Sequence, residues 1–215
     1  MEAANGNARD DSLTRRLIKR YPAYQGVLGI FATYWRGYGG WAALRDSPYL
    51  HLSGLLTLCC FGSWSQPDWW EKVFSVLPNL VGFSIGAFAI FLGVGGESFQ
   101  SRIAGADSSN PKSISPFISA AAAFTHFIVV QVLAIVVALV FASLHKVALP
   151  VSLSWAHSLN EYGRQVAWFL GMWLFLYALT LTIGTVMVIF RTAGWFDEYA
   201  AAKRAREEQK SGVED

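Results

Sequence analysis

The chain has 215 residues, of which 53% are apolar and 15% are charged, and its formal net charge is +2. Ordinary soluble domains have about 25% charged residues, and here the charges crowd towards the two ends of the chain. These proportions exclude a typical water-soluble domain and favour helices that face lipid. The adjacent pair Cys59 and Cys60 excludes a disulfide framework, and a metal site is not expected either.

The N-terminal part of the chain is basic and aromatic. Residues 12–21 are predicted to form a short helix that ends at Pro22, with basic side chains that contact the membrane surface: Arg15, Arg16, Lys19 and Arg20. Residues 21–41 are rich in Tyr, Trp and Gly, which is typical of a segment at the level of the lipid headgroups. No cleavable signal peptide is evident, so the first apolar span is expected to act as an uncleaved anchor.

Four apolar stretches follow, at about residues 48–64, 73–95, 117–144 and 166–190. A helix needs roughly 20 apolar residues to cross the bilayer, and the first stretch is the shortest. We therefore predict an all-α polytopic protein with a cytoplasmic and interfacial segment (1–46), a four-helix transmembrane domain (47–190) and a cytoplasmic charged tail (191–215). Short amphipathic or charged helices are expected at both ends, the last at about residues 195–210.

Positive charges predict the orientation of these spans. With four spans, fourteen Lys and Arg residues lie on one side of the membrane and three on the other. A fifth span at residues 26–44 would divide the charges evenly and would place Arg36 near the middle of the bilayer, at a cost of roughly 2.5–3.5 kcal/mol. The sequence therefore predicts four passes with both termini in the cytoplasm, and the compact loops favour a bacterial inner membrane.

The second apolar stretch has small or polar residues at steps of three and four: Ser75, Asn79, Gly82, Gly86, Ala89 and Gly93. This spacing places them on one face of a helix, and Gly82 and Gly86 form a GxxxG pair. The main interpretation is tight helix packing, within the subunit or between subunits. A narrow pore or gate lined by Ser75 and Asn79 is the alternative. Pro78 frees a backbone carbonyl, which Asn79 is expected to bond; the alternative is that Asn79 coordinates a ligand or ion near the outer membrane face.

The third and fourth stretches contain further intramembrane polar residues. His126 is predicted either to hydrogen-bond between helices or to act as a titrating or gating group, and Gln131 to hydrogen-bond between helices. In the fourth stretch Tyr177, Thr180 and Gly184 share a face, which indicates burial among helices. No catalytic motif is evident, so no catalytic residue, cofactor or metal is expected. Nucleic-acid binding is not expected because the basic residues lie close to the membrane.

Residues 75–90 resemble a segment of uncharacterised bacterial four-helix inner-membrane proteins. In size and number of spans, the chain is also similar to membrane subunits of phage-defence systems such as the membrane component of Kiwa, which implies a role in antiviral defence. The small face and the two charged ends predict a non-enzymatic homo-oligomer in the lipid bilayer that is an anchor or sensor for a cytosolic protein partner. The alternative is an oligomeric ion channel or small-solute transporter.

Overall fold

The computed structural model describes residues 22–93, 96–105, 114–145 and 154–214. Within these ranges the chain is helical and contains no β-strand. The helices are α1 (Pro22–Tyr38), α2 (Gly40–Arg45), α3 (Pro48–Cys59), α4 (Phe61–Trp64), α5 (Trp69–Gly93), α6 (Gly96–Ile103), α7 (Pro116–His145) and α8 (Ser154–Glu214). The predicted basic helix, with Arg15, Arg16, Lys19 and Arg20, lies outside the described residues.

Three segments are long and apolar enough to cross a membrane: α5, α7 and the Glu161–Gln209 part of α8. They pack against one another around one hydrophobic core, as expected of a membrane-embedded helical protein. The first predicted span instead consists of α3 and α4, two short helices that meet at Cys60. Pro48 starts α3 at a position where its missing N–H is not needed, and α3 then packs along α8.

Helix α8 differs most from the sequence-based expectation. A span at residues 166–190 and a separate tail helix were expected, but Ser154–Glu214 forms a single helix of 61 residues. At 1.5 Å per residue this helix is about 90 Å long. It contains no proline, and its isolated glycines each cost only about 1 kcal/mol relative to alanine. The charged tail is therefore a direct extension of the apolar helix.

The buried face of α5 is not the predicted small face. Its buried residues include Val73, Leu77, Ser84, Ala87 and Phe91, which recur at near-heptad spacing. At the start of α5, Trp69 is only 1% exposed and lies against Gly171 of α8, where an added Cβ would be 2.6 Å from its Cζ2 atom. Glycine at position 171 thus allows the indole to reach the α8 backbone.

Helix α1 packs antiparallel along the first half of α7. A Cβ added at Gly37 would lie 3.0 Å from the Ala122 Cβ. Tyr34 is one turn before Gly37 in α1, and His126 is one turn after Ala122 in α7. The Tyr34 hydroxyl lies 2.8 Å from His126 Nδ1. The second half of α1 is thus beside α7, whereas the sequence suggested a position among the lipid headgroups. Arg36 is exposed in the last turn of α1. The distribution of charges is the main observation against a fifth crossing at α1.

Candidate functional site

The clearest polar cluster joins three helices at His126. Its Nδ1 atom lies 2.8 Å from the Tyr34 hydroxyl of α1, and its Nε2 atom lies 2.9 Å from the Tyr177 hydroxyl of α8. The Tyr38 ring stacks on the imidazole with a centroid separation of 3.8 Å and an interplanar angle of 18°. A neutral imidazole has one donor and one acceptor nitrogen, so one of Tyr34 and Tyr177 donates to the ring and the other accepts from it.

This arrangement uses both nitrogens of His126 within the protein. His126 is 3% exposed, and each of its two ring nitrogens already has a tyrosine hydroxyl as its hydrogen-bond partner. The cluster therefore fastens α1 to the α7–α8 pair, as a hydrogen bond between helices does in a membrane protein. It leaves no nitrogen of His126 free to bind a ligand directly.

Beside the cluster is an apolar cavity of about 390 Å³. Its described lining comes from five helices, and half of those side chains are aromatic when His126 is included. They include Phe31, Trp35 and Trp41 on one side and Trp173 and Tyr177 on the other. The Trp173 indole N–H donates to the Ser53 hydroxyl at 3.0 Å, which fixes the ring between α3 and α8. The sequence had not indicated this cavity, because its walls are distant in the chain.

The predicted small face of α5 lies on the outside of the single chain. All of its residues are exposed: Ser75, Asn79, Gly82, Gly86, Ala89 and Gly93. A Cβ added at Gly82, Gly86 or Gly93 would meet no atom within 4 Å. The face is offset by two residues from the buried heptad positions of α5, which turns it about 200° away from the core. Tight packing of this face within the subunit is therefore excluded for the described residues.

Two predicted polar contacts are wrong. Asn79 makes no hydrogen bond with any described residue, so it does not satisfy the carbonyl freed by Pro78, which lies inside a continuous α5. Gln131 is 0% exposed, and neither atom of its amide has a hydrogen-bond partner in the described part of the chain. Both side chains have the chemistry for hydrogen bonds between helices. The sequence of one helix, however, does not determine which groups of the neighbouring helices lie opposite these side chains.

The start of the charged tail is held by α6. Phe99 of α6 is 1% exposed, and its ring centroid lies 5.5 Å from that of Phe196 and 5.6 Å from that of Tyr199 on α8. Further along α8, residues 203–209 are all exposed, and Lys203 pairs with Glu207 at 3.9 Å. The tail is thus fixed at its base and open to solvent beyond it.

Within the described residues, no group of three or more His, Cys, Asp and Glu side chains is placed to hold a metal ion. Comparison with family models, curated proteins and solved structures found no significant match.

Proposed function

We propose that the chain is a non-enzymatic membrane protein that forms homo-oligomers and acts as an anchor or sensor for a cytosolic partner protein. The observation that best supports this function is the exposed small face of α5. Asn79, which makes no hydrogen bond with a described residue, lies on that face together with three glycines that have open space around them. Polar side chains and small residues at one surface are the features through which helices associate in lipid.

A second copy of the chain is the occupant that fits this face. An exposed amide in hydrocarbon lacks the hydrogen bonds that it has in water, and this costs free energy. Two copies of α5 that cross at Gly82 and Gly86 would bring their backbones close together, and Asn79 of each copy could then bond to the other. Self-association thus offsets the cost of the unpaired amide, which packing against lipid tails does not.

The charged end of α8 supports the part of this function that concerns a partner. Because α8 is one continuous helix from Ser154 to Glu214, a displacement of its membrane segment would carry the tail with it. Residues 203–209 present both Lys/Arg and Glu side chains to solvent. An exposed helix with mixed charges is suited to a protein partner rather than to nucleic acid.

We place the protein in a bacterial inner membrane, with four passes and with both termini in the cytoplasm. The concentration of positive charge in the N-terminal segment, the 96–116 connection and the tail supports this topology. α3 and α4 together would then form the first pass. A setting in phage defence is supported by the similarity in size and span number to the membrane subunits of such systems.

The assembly can be tested by native mass spectrometry of the protein in lipid nanodiscs. We expect a defined oligomer for the wild type and a monomer for Gly86→Leu, because a leucine there holds the two backbones apart. Gly163→Leu is the matched control, since Gly163 is also an exposed helical glycine with no atom near its Cβ position. A monomeric wild type, or an oligomer that Gly86→Leu leaves intact, would refute this assembly.

An oligomeric channel is the alternative function, and it would use the same face of α5. Ser75 and Asn79 are the exposed polar side chains that would line the axis of such an oligomer. His126 would not belong to that path, because it is buried and bonded to two tyrosines. Ion flux into liposomes that changes with Asn79→Leu and not with His126→Phe would favour the channel over the anchor.

A further inference from the structure

The apolar cavity beside His126 lies at the depth of the candidate membrane spans. Its lining includes His126, Val130 and Leu133 from the middle of α7 and Leu170 and Leu174 from the apolar part of α8. Its outer rim includes exposed apolar side chains, among them Phe31 at 53%, Trp41 at 74% and Leu133 at 49%. Exposed apolar side chains at this depth would face the hydrocarbon of a bilayer, so a hydrocarbon chain could reach the cavity from the side.

The chemistry of the wall restricts the occupant. A water molecule needs two to four polar partners, and polar ligands need placed hydrogen-bonding groups. At the edge of this cavity Tyr34 and Tyr177 both bond to His126, and the Trp173 N–H donates to Ser53. Among the described residues, no Asp, Glu, Lys or Arg contributes to its lining. Water and charged ligands are thus poorly suited to it.

The size of the cavity fits a flexible apolar chain. Ligand pockets have volumes of roughly 300–1,000 Å³, and a volume of about 390 Å³ falls within that range. An apolar cavity of about 150 Å³ holds a benzene molecule, so this one has room for a much larger hydrocarbon.

We propose that this cavity binds one hydrocarbon chain of a membrane phospholipid, between α1–α2 and the α3–α7–α8 wall. The lipid would enter through the side opening while its headgroup stays at the membrane surface. No described residue of α5 lines the site, so it is separate from the exposed face of α5 and does not depend on self-association. A bound chain would contact Trp35 of α1 and Trp173 of α8 at once, and would so contribute to the packing of α1.

The test uses the full-length protein in nanodiscs that contain a phospholipid with a photoreactive diazirine near the end of one acyl chain. After illumination, the cross-linked peptides are identified by mass spectrometry. We expect cross-links concentrated on the cavity segments that contain Trp35 and Trp173. Cross-links spread evenly over the exposed apolar faces of α5, α7 and α8 would overturn the proposal, as would the absence of cross-links in those two segments.

Two neighbouring residues of α7 provide a matched pair of variants. Leu133 and Val132 are 49% and 44% exposed, but only Leu133 lines the cavity. Leu133→Trp is expected to fill the cavity and reduce the cross-links at Trp35 and Trp173 to background, whereas Val132→Trp leaves them unchanged. Equal cross-linking in the two variants would contradict the site.

A second pair keeps the test decisive if Leu133→Trp fails to fold. Val129 lines the cavity and Val136 does not, and both are partly exposed on α7, at 38% and 49%. Val129→Phe should lower the cavity cross-links, and Val136→Phe should not. The oligomeric state is measured in the same nanodiscs. It shows whether a loss of cavity cross-links occurs without any change in self-association through the small face of α5.

Discussion

Tyr177 is the buried end of the tyrosine–histidine cluster, with a side chain that is 4% exposed. In Tyr177→Phe, the Nε2 atom of His126 loses the hydroxyl that lies 2.9 Å away. Hydrogen bonds between membrane helices contribute roughly 0.6 kcal/mol on average, and an unpaired buried nitrogen adds a further penalty. We expect the free energy of unfolding to fall by roughly 1–2 kcal/mol, as measured by thermal unfolding in detergent.

The control for this prediction is Tyr162→Phe, because Tyr162 is 77% exposed on the same helix. It should leave the unfolding temperature unchanged. A double-mutant cycle with Tyr34→Phe should also show coupling, since both tyrosines act on one imidazole. If Tyr177→Phe behaved like Tyr162→Phe, the hydrogen bond between Tyr177 and His126 would contribute nothing to the packing of α8 against α7.

Gln131 poses the opposite case, a fully buried amide with no partner among the described residues. Such a group costs about 1–3 kcal/mol of desolvation that no hydrogen bond offsets. Gln131→Leu keeps a similar volume and removes the amide, so we expect the unfolding temperature to rise. Gln131→Ala should lower it, because that change leaves a cavity. A loss of stability in Gln131→Leu would show that the amide is bonded after all.

At the scale of the helices, Gly171 is the position where the Trp69 ring of α5 lies against the backbone of α8. An added Cβ would lie 2.6 Å from Trp69 Cζ2 and 3.2 Å from Phe141 Cε2, and Trp69 is too deeply buried to move aside. Gly171→Ala is therefore expected to cost about 1–3 kcal/mol through overpacking, although alanine is the better helix former. Thermal unfolding should show a clear drop, whereas Gly163→Ala on the same helix should show none or a small gain.

The helices also show how far the sequence could lead. Apolar length was sufficient to predict α5, α7 and the apolar part of α8 as membrane helices, because that property is local. The spacing of Ser75, Asn79 and Gly82 indicates that they share one face of α5. It does not indicate whether that face or another one is turned towards the core. That choice depends on the shapes of α7 and α8. The alternate stripe from Val73 to Phe91 has the same period and fills the core better.

The candidate site was less predictable than the helices for a related reason. His126 could be singled out as a polar residue in an apolar span. Its partner Tyr34 is 92 residues away in the sequence, and Tyr177 is 51 residues away. Pairing over such distances follows from the tertiary arrangement of α1, α7 and α8, which no local pattern contains. The cavity depends on the same arrangement, so it could not be predicted either.

For the whole molecule, α1 and the distribution of charge point to different topologies. The antiparallel contacts of Gly37 and Tyr34 with α7 place the second half of α1 beside a candidate membrane span. A helix of 17 residues is at the lower limit for crossing the bilayer. A crossing would carry five basic residues of the N-terminal segment to the outside and remove the charge asymmetry. Since positive charge in short segments dominates orientation, we expect the N-terminus to remain in the cytoplasm.

Reporter fusions in a bacterial host test this topology directly. Green fluorescent protein should fluoresce at both the N-terminus and the C-terminus, and alkaline phosphatase should be inactive at both. A phosphatase inserted between α4 and α5 is the reference, because that connection lies outside the cytoplasm with either four or five passes. An exported N-terminus together with a cytoplasmic C-terminus would mean that α1 crosses the bilayer as a fifth span. The N-terminal basic residues would then contact the outer leaflet, and α8 alone would remain to bind a cytosolic partner.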